Sequence, residues 1–231
     1  MNIFKIHPLY YLFLVIVILT GNFNNYMLFT FIILFHELGH ILASFLFKWK
    51  IEKIVILPFG CVTIFNKLLN TKIIEDIIVT ISGPLFQIIL SLFLEDKSIS
   101  NSILLFNLLP IFPLDGAKIL NSIQDILLPY KKSYTIMLYI SFITSIIAII
   151  YLKNNLILIM SIFLLIYRCL IEYKNIKYTF NKFIFERTYY DLKFKKRKIV
   201  ENKDEFRKDH YHLIKENGLY ITEKDYLRLC K

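Results

Sequence analysis

Apolar residues in this chain gather in runs long enough to cross a lipid bilayer, and polar residues mark where the runs stop. The first run covers 8–19, behind Lys5 and His7. Gly21-Asn22-Phe23-Asn24-Asn25 follows with no small-x-small cleavage signal, so the run reads as an uncleaved span. The second, about 26–47, ends on Lys48-Trp49-Lys50, an interfacial aromatic between two cations. The third, about 73–94, has Gly83-Pro84 in its middle and closes on Glu95-Asp96-Lys97. The fourth begins near Ile103, is broken over 110–114 by Pro110 and Pro113, and restarts as a helix at Leu114 or Asp115. Proline removes an amide donor and blocks the turn before it. Broken backbone at membrane depth persists only where protein buries it or it lines a polar cavity. The fifth and sixth runs cover about 134–152 and 156–171. Between the second and third, the Ile- and Val-rich stretch 51–65, interrupted at Pro58-Phe59-Gly60, predicts two short strands and a turn.

The predicted fold is therefore an all-α polytopic membrane protein. It has six transmembrane helices, a small membrane-associated β-hairpin and, from Glu172, a short cytoplasmic α/β tail. Residues 1–171 form the transmembrane domain and 172–231 the basic tail.

Composition agrees and narrows the class. Of 231 residues, 56% are hydrophobic and 20% charged, which excludes a disordered chain; 6 Gly, 6 Pro and 3 Cys exclude a collagen-like chain and a disulfide scaffold. Cys61, Cys169 and Cys230 form no C-x-x-C pair and read as thiols in a reducing compartment. The net charge of +10 is uneven: residues 172–231 hold 16 Lys and Arg against 10 Asp and Glu. Lys48, Lys50, Lys53, Lys67 and Lys72 follow the second span, Lys131 and Lys132 the fourth, and the tail the sixth. The opposite face carries only Lys97 and Lys153. The positive-inside rule then puts both termini in the cytoplasm, with the cations meeting anionic lipid and no direct role in nucleic-acid binding.

The second span contains His36-Glu37-Leu38-Gly39-His40. Histidines four apart share one helical face and can grip one zinc ion, with the glutamate beside them as general base. At this chain's His and Glu frequencies the pattern is expected by chance roughly 0.005 times. A charge at the centre of a membrane helix costs roughly 2.5–3.5 kcal/mol, so Glu37 at that depth reads as functional rather than as a polar packing cluster. Two histidines leave zinc one protein ligand short. Asp115, directly after the proline break and at mid-span, suits the third position; it could instead, or as well, N-cap the restarted helix. Zinc, two neutral imidazoles, one aspartate and Glu37 sum to zero charge, the cheapest state at depth.

H-E-L-G-H in one span, Gly83-Pro84 in the next and Asn107-x-x-Pro110-x-x-Pro113-x-Asp115-Gly116 after it resemble the site-2 protease family over about 1–170. The resemblance implies an intramembrane metalloprotease holding one zinc ion per chain on His36, His40 and Asp115, with Glu37 as the catalytic base. It implies that Asn107 lies near the site and holds the substrate or the oxyanion, that Pro110 and Pro113 lie along the substrate, and that 51–65 is a β-hairpin beside the site. It implies a membrane-associated protein substrate, in this case the precursor of the sporulation sigma factor K cut at the mother-cell membrane around the forespore, and membrane-protein inhibitors. Other membrane-anchored regulators, such as an anti-sigma factor, fit the same site. Two departures stand out: Ala117, where a second Gly is frequent, and Gln87, where some relatives have Asn. The tail looks like a shortened form of a nucleotide-binding cystathionine-β-synthase-type (CBS) unit. The rivals are a transporter using intramembrane His, Glu and Asp, which leaves the H-E-x-x-H spacing unexplained, and a proteolytically dead scaffold, which would lack one of the four residues.

Overall fold

The computed structural model describes residues 4–57, 60–151, 156–190, 192, 194, 196–216 and 219–229. Pro58 and Phe59 of the hairpin turn, the loop around Lys153, the turn at Asn217-Gly218, and Cys230 lie outside the described residues. The chain divides into two units, one of 1–67 with 77–108 and one of 68–76 with 109–231.

In the first unit, β1 (Phe4–Ile6) leads into α1 (Pro8–Leu19) and α2 (Phe23–Leu46), followed by β2 (Lys50–Leu57) and β3 (Gly60–Asn66). Most of α3 (Ile73–Ser91) and all of α4 (Ser98–Asn107) complete it. Helix α2 buries one stripe, Ile32, Ile33, His36, Gly39, His40, Ala43 and Ser44, at the spacing of a single helical face. The hairpin expected over 51–65 is present: β2 and β3 are antiparallel, from Lys50 opposite Asn66 to Leu57 opposite Gly60. An unforeseen third strand joins it. Lys5, read from sequence as the flank of a span, sits in β1, which pairs parallel with β2 through Phe4–Ile54 and Ile6–Ile56. The order β1-β2-β3 leaves β3 as an edge strand among the described residues. Ile54 and Cys61 from the sheet, Ile32 and Ile33 from α2, Leu90 from α3 and Ile103 from α4 make one apolar cluster.

The second unit holds α5 (Asp115–Leu127), α6 (Tyr130–Tyr151), α7 (Leu156–Lys174), α8 (Ile176–Tyr189), β4 (Lys196–Val200), β5 (His210–Glu216), β6 (Leu219–Thr222) and α9 (Glu223–Leu229). Strand β4 is parallel to β5, and β5 antiparallel to β6. Phe206, Val200, Ile214 and Leu227 of the tail pack with Phe180 and Phe183 of α8 and Tyr130 of α6. The rings of Tyr130 and Phe183 stack at 4.1 Å, and the Tyr130 amide donates to the Phe206 carbonyl.

Three described helices are long and apolar enough to cross a membrane: α2, α3 and α6. Their outer faces stay apolar without protein cover: Tyr139, Phe142, Ile143, Ile146, Ile147 and Ile150 of α6 are all exposed. Such a ribbon is tolerable in lipid and not in water. Six spans do not emerge on the same measure. Helix α1 has 12 residues, about 18 Å at about 1.5 Å per residue against a hydrocarbon core of about 30 Å. The fourth run is split into α4 and α5, and α7 carries Arg168, Glu172 and Lys174.

Candidate active site

Helix α2 places the H-E-x-x-H residues near its middle, with His36 2% and His40 6% exposed. Their Nε2 atoms face each other at 3.1 Å. One ligand atom from each of His36, Glu37 and His40 lies within 4.8 Å of the others. Glu37 lies beside the buried stripe and is half-buried, under the sheet, where the Thr63 hydroxyl donates to its Oε2 at 2.7 Å. Alternation along β3 explains the contact: Cys61, Thr63 and Phe65 are turned inward and Val62 and Ile64 outward.

Helix α3 closes the other side. A Cβ on Gly39 would stand 2.5 Å from the Ser82 carbonyl oxygen, so α2 and α3 approach as closely as backbones allow. A Cβ on Gly83 would stand 2.3 Å from His40 Nε2 and 2.8 Å from His36 Nε2. The missing side chain thus leaves open the space that both imidazole nitrogens face. His40 Nδ1 lies 2.7 Å from the Val79 carbonyl, an acceptor only, so Nδ1 carries the proton and Nε2 keeps its lone pair. His36 Nδ1 meets Gln87 Oε1 at 2.8 Å, and Gln87 Nε2 donates to the Ser100 carbonyl at 2.8 Å.

These residues fit zinc. Two nitrogens on one tetrahedral zinc, each at roughly 2.0–2.1 Å, stand roughly 3.3 Å apart, close to the 3.1 Å seen here. The donor set is two neutral imidazoles with a carboxylate alongside, in an apolar helix, which suits a borderline-soft divalent ion.

The other expected site residues are distributed as follows. Asn107 is the last residue of α4, half-buried. Pro110, Pro113 and Asp115 belong to the second unit. There the broken stretch is held by α6: Thr144 donates to the Pro110 carbonyl at 3.1 Å, and the Phe112 amide donates to Ser141 Oγ at 3.1 Å. Side chains of a neighbouring helix thus replace the backbone partners that proline removes. Asp115 is 5% exposed and pairs with Lys118 at 2.9 Å. It is the first residue of α5, inside the first turn rather than at the N-cap position considered for it, which Leu114 holds. Sequence reasoning missed Thr63, Val79 and Gln87. Gln87 was legible in part: it stands four residues after Gly83, on the same buried face of α3.

A buried histidine pair with a half-buried glutamate beside it, on a helix long and apolar enough to cross a membrane, is the pattern by which metallopeptidase centres are recognised. Residues 25–95 match the model of Peptidase family M50. The chain is 33% identical over 144 residues to stage IV sporulation protein FB of Bacillus subtilis, covering 56% of this chain and 50% of that protein. It is 33% identical over 154 residues to a zinc metalloprotease of Methanocaldococcus jannaschii, covering 56% of this chain and 44% of that one. The chain thus spans about half the length of the curated relatives it matches. Its fold is similar to the solved site-2 protease from Methanocaldococcus jannaschii, with TM-score 0.55 and 27% identity over 74% of this chain and 90% of that one.

Proposed function

We propose that this chain is an intramembrane zinc metalloendopeptidase that cleaves a membrane-associated regulatory protein. The single observation that carries the reading is the opposed Nε2 pair of His36 and His40 with Glu37 beside it, in a helix built for lipid. Its likeness to a zinc metalloprotease and to a solved site-2 protease supports it. In this reading His36, His40 and Asp115 hold one zinc ion per chain. Bound there, zinc polarises the scissile carbonyl and acidifies water.

The chain's own groups supply the rest. Thr63 occupies Glu37 Oε2, which leaves Oε1 to take the proton of the attacking water and return it to the leaving amine. Asn107, Pro110 and Pro113 line the path of the substrate. A helical substrate hides its carbonyls in hydrogen bonds, so it must be extended to be cut. The outer edge of β3 offers main-chain pairing that extends it with little sequence demand. Six spans with both termini in the cytoplasm remain the topology we propose, because the cations cluster after the second, fourth and sixth apolar runs. The precursor of sporulation sigma factor K is the substrate we favour, on the likeness to a sporulation protein. Membrane-protein inhibitors would be its regulators.

Co-expression of candidate precursors with wild type and with Glu37→Gln tests the reading. The expected result is a shortened product with wild type and none with Glu37→Gln, at equal zinc content. Equal cleavage by both overturns it.

A further inference from the structure

A buried polar contact in the first unit ties the H-E-x-x-H residues to two further helices. Gln87, 0% exposed, bridges His36 of α2, 2% exposed, and Ser100 of α4, 1% exposed. The orientation of its amide is forced. The Ser100 carbonyl can only accept, so the group facing it is the Gln87 NH₂, and Oε1 is left to face His36. Oε1 can only accept, so His36 Nδ1 must donate, and in a neutral imidazole the lone pair then resides on Nε2. That is the nitrogen turned toward His40. For His40 a main-chain carbonyl does the same work, which no substitution can remove; for His36 the Gln87 side chain does it.

We propose that Gln87 is a positioning residue that sets the tautomer and ring orientation of His36 and so the affinity of the centre for its metal. This rests on the zinc reading above. A ring free to take the other tautomer would turn an N–H toward the metal, and groups hydrogen-bonded to metal-ligating histidines typically govern affinity by about 10–100-fold. Glutamine has the reach and the neutral donor and acceptor to span from α2 to α4 without adding charge.

The test uses the full chain purified in detergent, with zinc affinity read by competition with a chromogenic chelator. Gln87→Met keeps the side-chain length and removes the acceptor. Gln87→Glu keeps an oxygen that accepts from Nδ1 but sets a carboxylate against the Ser100 carbonyl, so both variants are expected to lower the unfolding midpoint of the metal-free protein. Gln87→Met is expected to weaken zinc binding about 10–100-fold, and Gln87→Glu to weaken it less. Unchanged binding by folded Gln87→Met, or a loss in Gln87→Glu as large as in Gln87→Met, overturns the proposal. The ¹⁵N spectrum of the imidazoles in the metal-free wild type decides it even if Gln87→Met does not fold: His36 is expected with its proton on Nδ1, and a proton on Nε2 overturns it. A folded wild type that binds no zinc overturns the metalloprotease reading itself, and this proposal with it.

Discussion

The backbone of Gly83 lies so close to His40 that a single added methyl would stand 2.3 Å from Nε2. A rigid neighbour at that distance must shift or exclude whatever the nitrogen binds. Gly83→Ala is therefore expected to lose zinc, with helix content by circular dichroism unchanged. Zinc retained at wild-type stoichiometry by Gly83→Ala would show that the space beside the imidazoles is not the metal's.

Thr63 predicts a separation of metal from chemistry. Thr63→Val removes the hydroxyl that donates to Glu37 while keeping a β-branched strand residue. A hydrogen bond to a charged group contributes about 1.5–3 kcal/mol, so cleavage is expected to fall about 10–100-fold. Zinc content should not change, and Thr63→Ser should restore cleavage. Loss of zinc in Thr63→Val would show that the contact holds the helix, not the base.

The broken stretch before Asp115 predicts a stability cost. Ser141 Oγ accepts from the Phe112 amide and donates to the Met137 carbonyl. Ser141→Ala leaves the amide unpaired, at about 1–3 kcal/mol. The unfolding midpoint in detergent should drop, and a midpoint equal to wild type would mean that another group satisfies Phe112.

In the tail, Lys208 lies 2.8 Å from Asp76 and 3.4 Å from Asp125, all three buried. Burial alone would lower the Lys208 pKa, but the two carboxylates outweigh it and hold it raised. Removing the cation leaves carboxylates with no compensating charge. Lys208→Met is expected to destabilise the second unit by about 3–5 kcal/mol, seen as early proteolysis at 196–216. Wild-type resistance to protease would contradict it.

His212 makes the tail acid-sensitive. It is fully buried against Phe206; its Nε2 accepts from the Arg207 amide and its Nδ1 donates to Glu223, which Arg187 also binds. Burial, with the Arg187 and His210 charges, outweighs Glu223 and holds its pKa below the ordinary 6.5. A histidine whose folded pKa is depressed stabilises the fold above about 6.5, and that contribution is lost as pH falls through the window below. Glu223, also held low despite burial because His212 and Arg187 bind it, adds loss only below about 4.5. Wild type should therefore lose unfolding midpoint between pH 7.5 and 5.5, and His212→Asn should lose less over that range. Equal slopes would contradict the assignment.

The H-E-x-x-H pair, the proline break, the hairpin and the apolar helices were legible from sequence because each is local. A helical period puts residues i and i+4 on one face, proline acts on its own turn, and lipid demands an unbroken run of apolar side chains. Three things were not local. β1 pairs with β2 across about 50 residues of chain. Thr63 reaches Glu37 from a different element, and nothing in its neighbours distinguishes it from any other strand threonine. Gln87 looked like a departure from a pattern, and packing makes it a side chain that reaches both His36 and Ser100. Side-chain chemistry and helical spacing made His36, Glu37 and His40 readable as a candidate metal group without any fold, because residues i and i+4 share a helical face. Which nitrogen of each histidine faces the other, and which oxygen of Glu37 accepts from Thr63, came only with the packing, because those depend on donors and acceptors brought in by α3, α4 and β3.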